Sequence, residues 1–103
     1  MAMPCNQFGG QEPGTAKEVE AFARAKGAKF PVFGKVEVNG PGADPLYKFL
    51  KDTAPGGGLI GGLLGKDIKW NFAKYLVDSK GKVVKSYEPP QSPLSIEKDI
   101  VAL

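Results

Sequence analysis

In the stretch WNFAKYLVDSKGKVVKSY, residues 70–87, two β-prone runs flank the turn residues Ser79-Lys80-Gly81. That is the pattern of a β-hairpin, with one arm expected over Trp70–Asp78 and the return arm over Lys82–Tyr87. Beyond it Pro89 and Pro90 end the return arm. Ser92-Pro93 then opens a final helix whose apolar residues are Leu94, Ile96, Ile100 and Leu103.

Upstream of the hairpin, PGGGLIGGLLG (residues 55–65) breaks every regular pattern and reads as a loop. It contains the spacing Gly56-x-Gly58-x-x-Gly61, but a dinucleotide fingerprint needs a strand before it and a helix after it. Here a helix precedes and a strand follows, so the loop reading holds, with Leu59, Ile60, Leu63 and Leu64 against the body of the protein or lining a shallow site. That preceding helix starts at Pro45 behind an Asp44 cap and presents Leu46, Phe49 and Leu50 on one face. Asn39-Gly-Pro-Gly42 is a turn, and FPVFGKVEV (residues 30–38) is an edge or bulged strand, given its Pro31 and Gly34. Further back, Thr15 and Glu18 make a capping box that starts a helix near Ala16, with an apolar stripe through Val19, Phe22 and Ala23. Gly27 is placed to end that helix in the left-handed conformation. The sum is an α/β order without an obvious first strand.

A chain of 103 residues, 42% of them hydrophobic, holds one domain, taken as residues 1–103. The net charge of +3 comes from scattered lysines rather than a basic cluster interleaved with aromatics, which argues against nucleic-acid recognition. With one cysteine and no histidine, the chain holds neither an intrachain disulfide, nor a Cys/His metal site, nor a histidine relay. No apolar run is long enough for a membrane span and no signal peptide is legible, so a soluble, intracellular protein without stable membrane insertion is expected.

The sole cysteine lies in PCNQFGGQEPG, residues 4–14. No Lys, Arg or His stands close to Cys5 in sequence, and the nearest helix start is ten positions away, so a half-buried cysteine at a strand end is the better reading than a reactive thiolate. Gln7, Gln11, Trp70 and Asn71 form a more informative set. Their amides and indole N–H are neutral donors that can hold an anion or a polarised oxygen without exchanging protons. Each also has an ordinary use, the amides in tying turns together and the indole in a core.

PCNQFGGQEPG, with KFPVFGKVEVNG (29–40), DPLYKFL (44–50), IKWNFAKYLVDSKGKVVKSYEP (68–89) and SPLSIEKDI (92–100), closely resembles the glutathione peroxidase family. The resemblance implies an α/β, thioredoxin-like fold, here as its C-terminal two-thirds, and thiol-dependent reduction of hydrogen peroxide and organic or lipid hydroperoxides. It implies Gln11, Trp70 and Asn71 as the catalytic shell around a sulfur or selenium nucleophile, which in the family lies upstream of the CNQFGGQ block. By this alignment the nucleophile would precede Met1; a selenocysteine codon misread as a stop would account for such a start, as would an incomplete clone or a splice form. Thioredoxin-dependent members carry a resolving cysteine in the helix after QEPG, and Glu18–Lys26 has none. Glutathione or another external thiol is therefore expected as co-substrate ahead of thioredoxin, with no bound cofactor and with Lys69 as a candidate contact for its carboxylates. The loop before KWNF lacks the longer insertion of tetrameric members, so a monomer is expected. The cytoplasm is the expected compartment, with an organelle left open by the expected N-terminal truncation. The rival reading is a noncatalytic thioredoxin-like binding module or an inactive remnant.

Overall fold

The computed structural model describes residues 1–54 and 67–103. The loop expected over residues 55–65, with its four apolar side chains, lies outside them. The chain forms two compact units, Met1–Asp44 and Pro45–Leu103.

In the first unit, helix α1 spans Ala16–Ala25. The Thr15 hydroxyl oxygen accepts the Glu18 N–H at 3.2 Å, and the same hydroxyl donates to the Glu18 carboxylate at 3.1 Å. Glu18 thus reaches back as a capping box predicts, but to the cap hydroxyl. At the other end Gly27 has φ +97°, its N–H bonds to the Arg24 carbonyl, and the Ala28 N–H bonds to the Ala23 carbonyl. These paired bonds are a Schellman closure, which only a residue at ease in the left-handed region accommodates cheaply. Arg24 spans the exit, donating to the carbonyls of Ala28 at 3.0 Å and Phe30 at 2.7 Å. Of the expected stripe Val19 is buried and Ala23 half-buried, whereas Phe22 is exposed under the Lys26 ammonium, 5.6 Å from its ring centre.

The strand expected over Phe30–Val38 is reduced to one parallel bridge between Ala2 and Val32. Ala2 donates to the Pro31 carbonyl and accepts from the Phe33 N–H, and Pro4 accepts from the Val36 N–H. Two features cut the ladder short. Pro4 has no N–H with which to continue it. The last bond also falls one residue later than a regular parallel ladder would place it, so the chain is bulged around Gly34 and Lys35. Val38 and Ala43 are buried on either side of the Asn39–Gly42 turn, where Gly40 has φ +82°.

In the second unit, helix α2 spans Pro45–Thr53, starting at the expected proline. Strands β1 (Lys74–Val77) and β2 (Val83–Tyr87) pair antiparallel. The hairpin loop Ser79-Lys80-Gly81 ends in a left-handed glycine at φ +84°, and the Asp78 carboxylate accepts the N–H groups of Lys80 and Lys82, both at 2.9 Å. That combination of an Asx turn and a left-handed third residue is why the loop closes with three residues. The register slips between Leu76 and Val77, leaving Val84 as an extra residue on β2. Leu50, Ala54 and Val83 form the core, with Leu46, Tyr47 and Tyr75 packed on it and the two tyrosine rings edge to face at 6.4 Å. Phe49, placed on the same helical face by its spacing, is 45% exposed.

The final helix begins as a 3-10 segment, Pro93–Ile96, capped by the Ser92 hydroxyl, and continues as α3, Glu97–Val101. Only Ile96 of its expected apolar set is buried; Leu94, Ile100 and Leu103 are exposed. Polar contacts tie the helix to β2 instead. The Tyr87 hydroxyl donates to Asp99 at 2.7 Å, and Lys85 pairs with the same carboxylate at 3.2 Å.

This clasp sets a pH dependence. The Tyr87 hydrogen bond, and then the Lys85 contact, hold the Asp99 carboxyl below its ordinary value. Its contribution is present at neutral pH and is lost as pH falls through that lowered value. Desolvation, followed by the hydrogen bond to Asp99, pushes the Tyr87 phenol up to about 12. Its contribution is present below the ordinary tyrosine value of about 10 and fades as pH climbs from there toward the raised one. Melting temperature measured by circular dichroism across pH is therefore expected to fall at both extremes. Tyr87→Phe should lower the plateau, shrink the acid limb and weaken the alkaline limb, of which the part from Tyr75, raised by burial and then by the Glu88 charge, should remain.

Candidate active site

The first group of candidate residues lies on the turn between Cys5 and α1. Gly9 and Gly10 have φ +67° and +60°, a consecutive left-handed pair that reverses the chain and sets the exposed Gln11 just beyond it. A side chain at either glycine would meet the steric penalty of this region, roughly 1–2 kcal/mol per residue. Phe8 anchors the turn by burying its ring.

The two glutamines of the segment divide their labour. The Gln7 side-chain oxygen accepts the N–H groups of Val38 at 2.7 Å and Asn39 at 3.1 Å, and its NH2 donates to the Asn39 carbonyl at 3.0 Å. Cys5, half-buried, donates its thiol to that same oxygen at 3.4 Å and accepts the Gln7 N–H at 3.5 Å. Gln7 and Cys5 are thereby committed to local structure, the ordinary use of an amide in tying turns.

The second group lies on the approach to β1. Trp70 and Asn71 were expected inside a strand beginning at Trp70, but β1 starts at Lys74 and the preceding residues form a tight turn. The reason is Phe72, the only described non-glycine residue at positive φ (+69°). A residue in the left-handed region reverses the chain and cannot continue a strand. Trp70 and Asn71, neighbours in sequence, lie in this turn, with Trp70 49% and Phe72 80% exposed. Strain of this kind in a bulky residue costs on the order of 1–3 kcal/mol and persists where the surroundings impose it, a situation concentrated at functional sites. Lys69, exposed, adjoins the pair on its N-terminal side.

Gln11 thus stands in the first unit, and Lys69, Trp70 and Asn71 in the second. The carboxamide NH2 of Gln11, the indole N–H of Trp70 and the carboxamide of Asn71 are each neutral donors of a kind that can hold an anion or a polarised oxygen, while none of them can transfer a proton near neutral pH. Asn6 escaped the sequence reading. Its side-chain oxygen accepts the Glu12 N–H at 2.8 Å across the glycine turn. The signal available for it was the polar residue placed ahead of Gly9-Gly10, which has meaning only once the turn is known to fold back.

Comparison with known proteins covers the whole chain. The sequence model of the glutathione peroxidase family matches residues 1–51. A sunflower (Helianthus annuus) protein named "Probable phospholipid hydroperoxide glutathione peroxidase" is 60% identical, covering 100% of this chain and 54% of the relative. The Arabidopsis thaliana "Phospholipid hydroperoxide glutathione peroxidase 1, chloroplastic" is 56% identical, with 42% of its length covered. Among solved structures, "T. cruzi GPX1" superposes with a TM-score of 0.71 at 39% identity, over 99% of this chain and 57% of that one. The chain spans about half the length of the curated relatives it matches, and some of those relatives carry chloroplastic or mitochondrial names. Among the described residues no helix is long and apolar enough to cross a membrane. With matches to sequence and structure running from end to end, the chain belongs to the glutathione peroxidase family and carries part of its thioredoxin-like α/β fold.

Proposed function

We propose that this chain contributes the supporting half of a thiol-dependent peroxidase, which reduces hydrogen peroxide and organic or lipid hydroperoxides with glutathione or another external thiol. The observation that carries this reading is the strained Trp70–Phe72 turn, which holds two neutral donors, Trp70 and Asn71, in a chain of this family. In the reaction, a thiolate or selenolate attacks one peroxide oxygen, the O–O bond breaks, and the other oxygen leaves as alkoxide or hydroxide and is protonated to alcohol or water. Reducing thiols then return the oxidised chalcogen to its starting state and are themselves converted to disulfide. Gln11, Trp70 and Asn71 act here as hydrogen-bond donors to the charged chalcogen and the leaving oxygen, and Lys69 as a contact for the carboxylates of glutathione. The nucleophile in this reading is not Cys5, whose sulfur is engaged with Gln7. The thiol is a co-substrate and no bound cofactor takes part.

The phospholipid hydroperoxide named for several relatives makes lipid hydroperoxides the first substrates to try. A monomer is the proposed state. The cytoplasm is the proposed compartment with an organelle as the alternative, the latter supported by the chloroplastic and mitochondrial names of relatives.

The test grafts this chain into the Arabidopsis chloroplastic relative in place of its matching segment and follows hydroperoxide consumption with glutathione or thioredoxin as reductant, beside the parent. Turnover within about tenfold of the parent and unaffected by Cys5→Ser is the expected result. A graft that is folded by circular dichroism yet inert, or one silenced by Cys5→Ser, overturns the assignment.

A further inference from the structure

Gln11 follows an anchored turn and precedes a held amide. On its N-terminal side the chain is anchored by the buried Phe8 and turns through the left-handed pair Gly9 and Gly10. On its C-terminal side is the Glu12 N–H, held by the Asn6 side-chain oxygen at 2.8 Å. That N–H belongs to the same rigid peptide plane as the Gln11 carbonyl, so fixing it fixes ψ of Gln11. Two residues further on, the Lys35 ammonium donates to the Gly14 carbonyl and holds the far end of the segment against the bulged Gly34–Lys35 stretch. The exposed Gln11 side chain thus springs from a backbone tied down on both sides, although it lies in a turn rather than on a helix or strand.

We infer that Asn6 is a positioning residue for Gln11: by accepting the Glu12 N–H it sets the direction in which the Gln11 carboxamide is presented to the reacting groups. This rests on the donor role proposed above for Gln11. Asn6 touches no reacting atom in this scheme and acts only through the backbone. A donor displaced by a fraction of its bond length loses much of its effect on a developing charge, so the loss of Asn6 should reach turnover without removing the donor itself.

Amide exchange and kinetics test the two links separately. In the wild-type chain, the Glu12 amide should exchange about tenfold or more slowly than in an unstructured peptide, and Asn6→Asp, which keeps an acceptor oxygen at the same position, should preserve that protection. In the grafted enzyme, Asn6→Ala should lower kcat/KM for the hydroperoxide about tenfold. Asn6→Asp should recover most of it, and Asn6→Ala should cost almost nothing further in a Gln11→Ala background. A purely structural role would give equal losses in both backgrounds and overturns the inference, as does a Glu12 amide exchanging at the unstructured rate. If Asn6→Ala does not fold, Glu12 protection in the wild type and in Asn6→Asp decides the first link. Kinetics of Asn6→Asp beside Gln11→Ala decide the second, since a large loss in an aspartate variant that keeps Glu12 protected overturns it. Gln11→Ala with unchanged turnover removes the donor role itself, and is told apart from failure of the tie because Glu12 stays protected.

Discussion

Alanine at Asn71 in the grafted peroxidase is expected to lower kcat by about 10²–10³-fold with little change in KM, the size of loss typical for one preorganised donor to a developing negative charge. The carboxamide of Asn71 would act on charge that grows as the O–O bond breaks, and such an interaction is stronger in the transition state than in the bound substrate. Trp70→Phe, which keeps an aromatic ring and deletes only the indole N–H, should give a loss of the same kind, and the double variant should lose less than the product of the two because both donors serve one charge. Steady-state kinetics with hydrogen peroxide and a lipid hydroperoxide check this. A rise in KM at unchanged kcat would move both residues from the chemistry to ground-state binding.

Leu50→Ala carries the largest expected effect on stability. Leu50 is 7% exposed and packs with Ala54 and Val83, so it joins α2 to the hairpin. Truncation removes buried methyl groups and leaves a cavity beside the short side chains of Ala54 and Val83, with Leu46, Tyr47 and Tyr75 packed around it. The expected cost is about 2–5 kcal/mol, a large part of the total for a domain of this size. Denaturant titration followed by tyrosine and tryptophan fluorescence measures it. A loss below about 1 kcal/mol would mean the site collapses onto the cavity. Phe49→Ala, one position away but 45% exposed, serves as the control and should cost far less.

The parts of this structure that could be read from the sequence are those set by chemistry within a few residues. Thr15 caps α1, Gly27 closes it, Pro45 opens α2, and Gly81 completes the hairpin loop, because a hydroxyl, a missing Cβ or a fixed φ acts locally whatever the rest of the chain does. Reading failed where the outcome depends on a distant partner. The run 30–38 has strand-forming residues, yet its pairing is set by Ala2 and Pro4, and a proline cannot continue a ladder. The final helix carries four apolar residues of which only Ile96 is buried, and Tyr87, Lys85 and Asp99 tie that helix to β2 through polar contacts.

The site divides along the same line. Trp70 and Asn71 could be singled out as neutral donors from the sequence, but their role came only through the family resemblance, since each donor also has an ordinary structural use. Their presentation in a turn was illegible because a phenylalanine is among the last residues to be assigned a left-handed conformation. Asn6 was invisible for a geometric reason: its bond to Glu12 spans six positions and exists only because two glycines fold the chain back.

Phe72 also exposes a conflict between robustness and performance. Glycine would occupy φ +69° without steric cost, and exchanging the ring, 80% exposed, would remove apolar surface from water. A screen that rewards heat tolerance alone would thus be drawn to position 72, and glycine there would give Trp70 and Asn71 a freer backbone. Variants selected in that way would outlast the parent on heating while working more slowly, so this position belongs among those held fixed when the chain is engineered for durability.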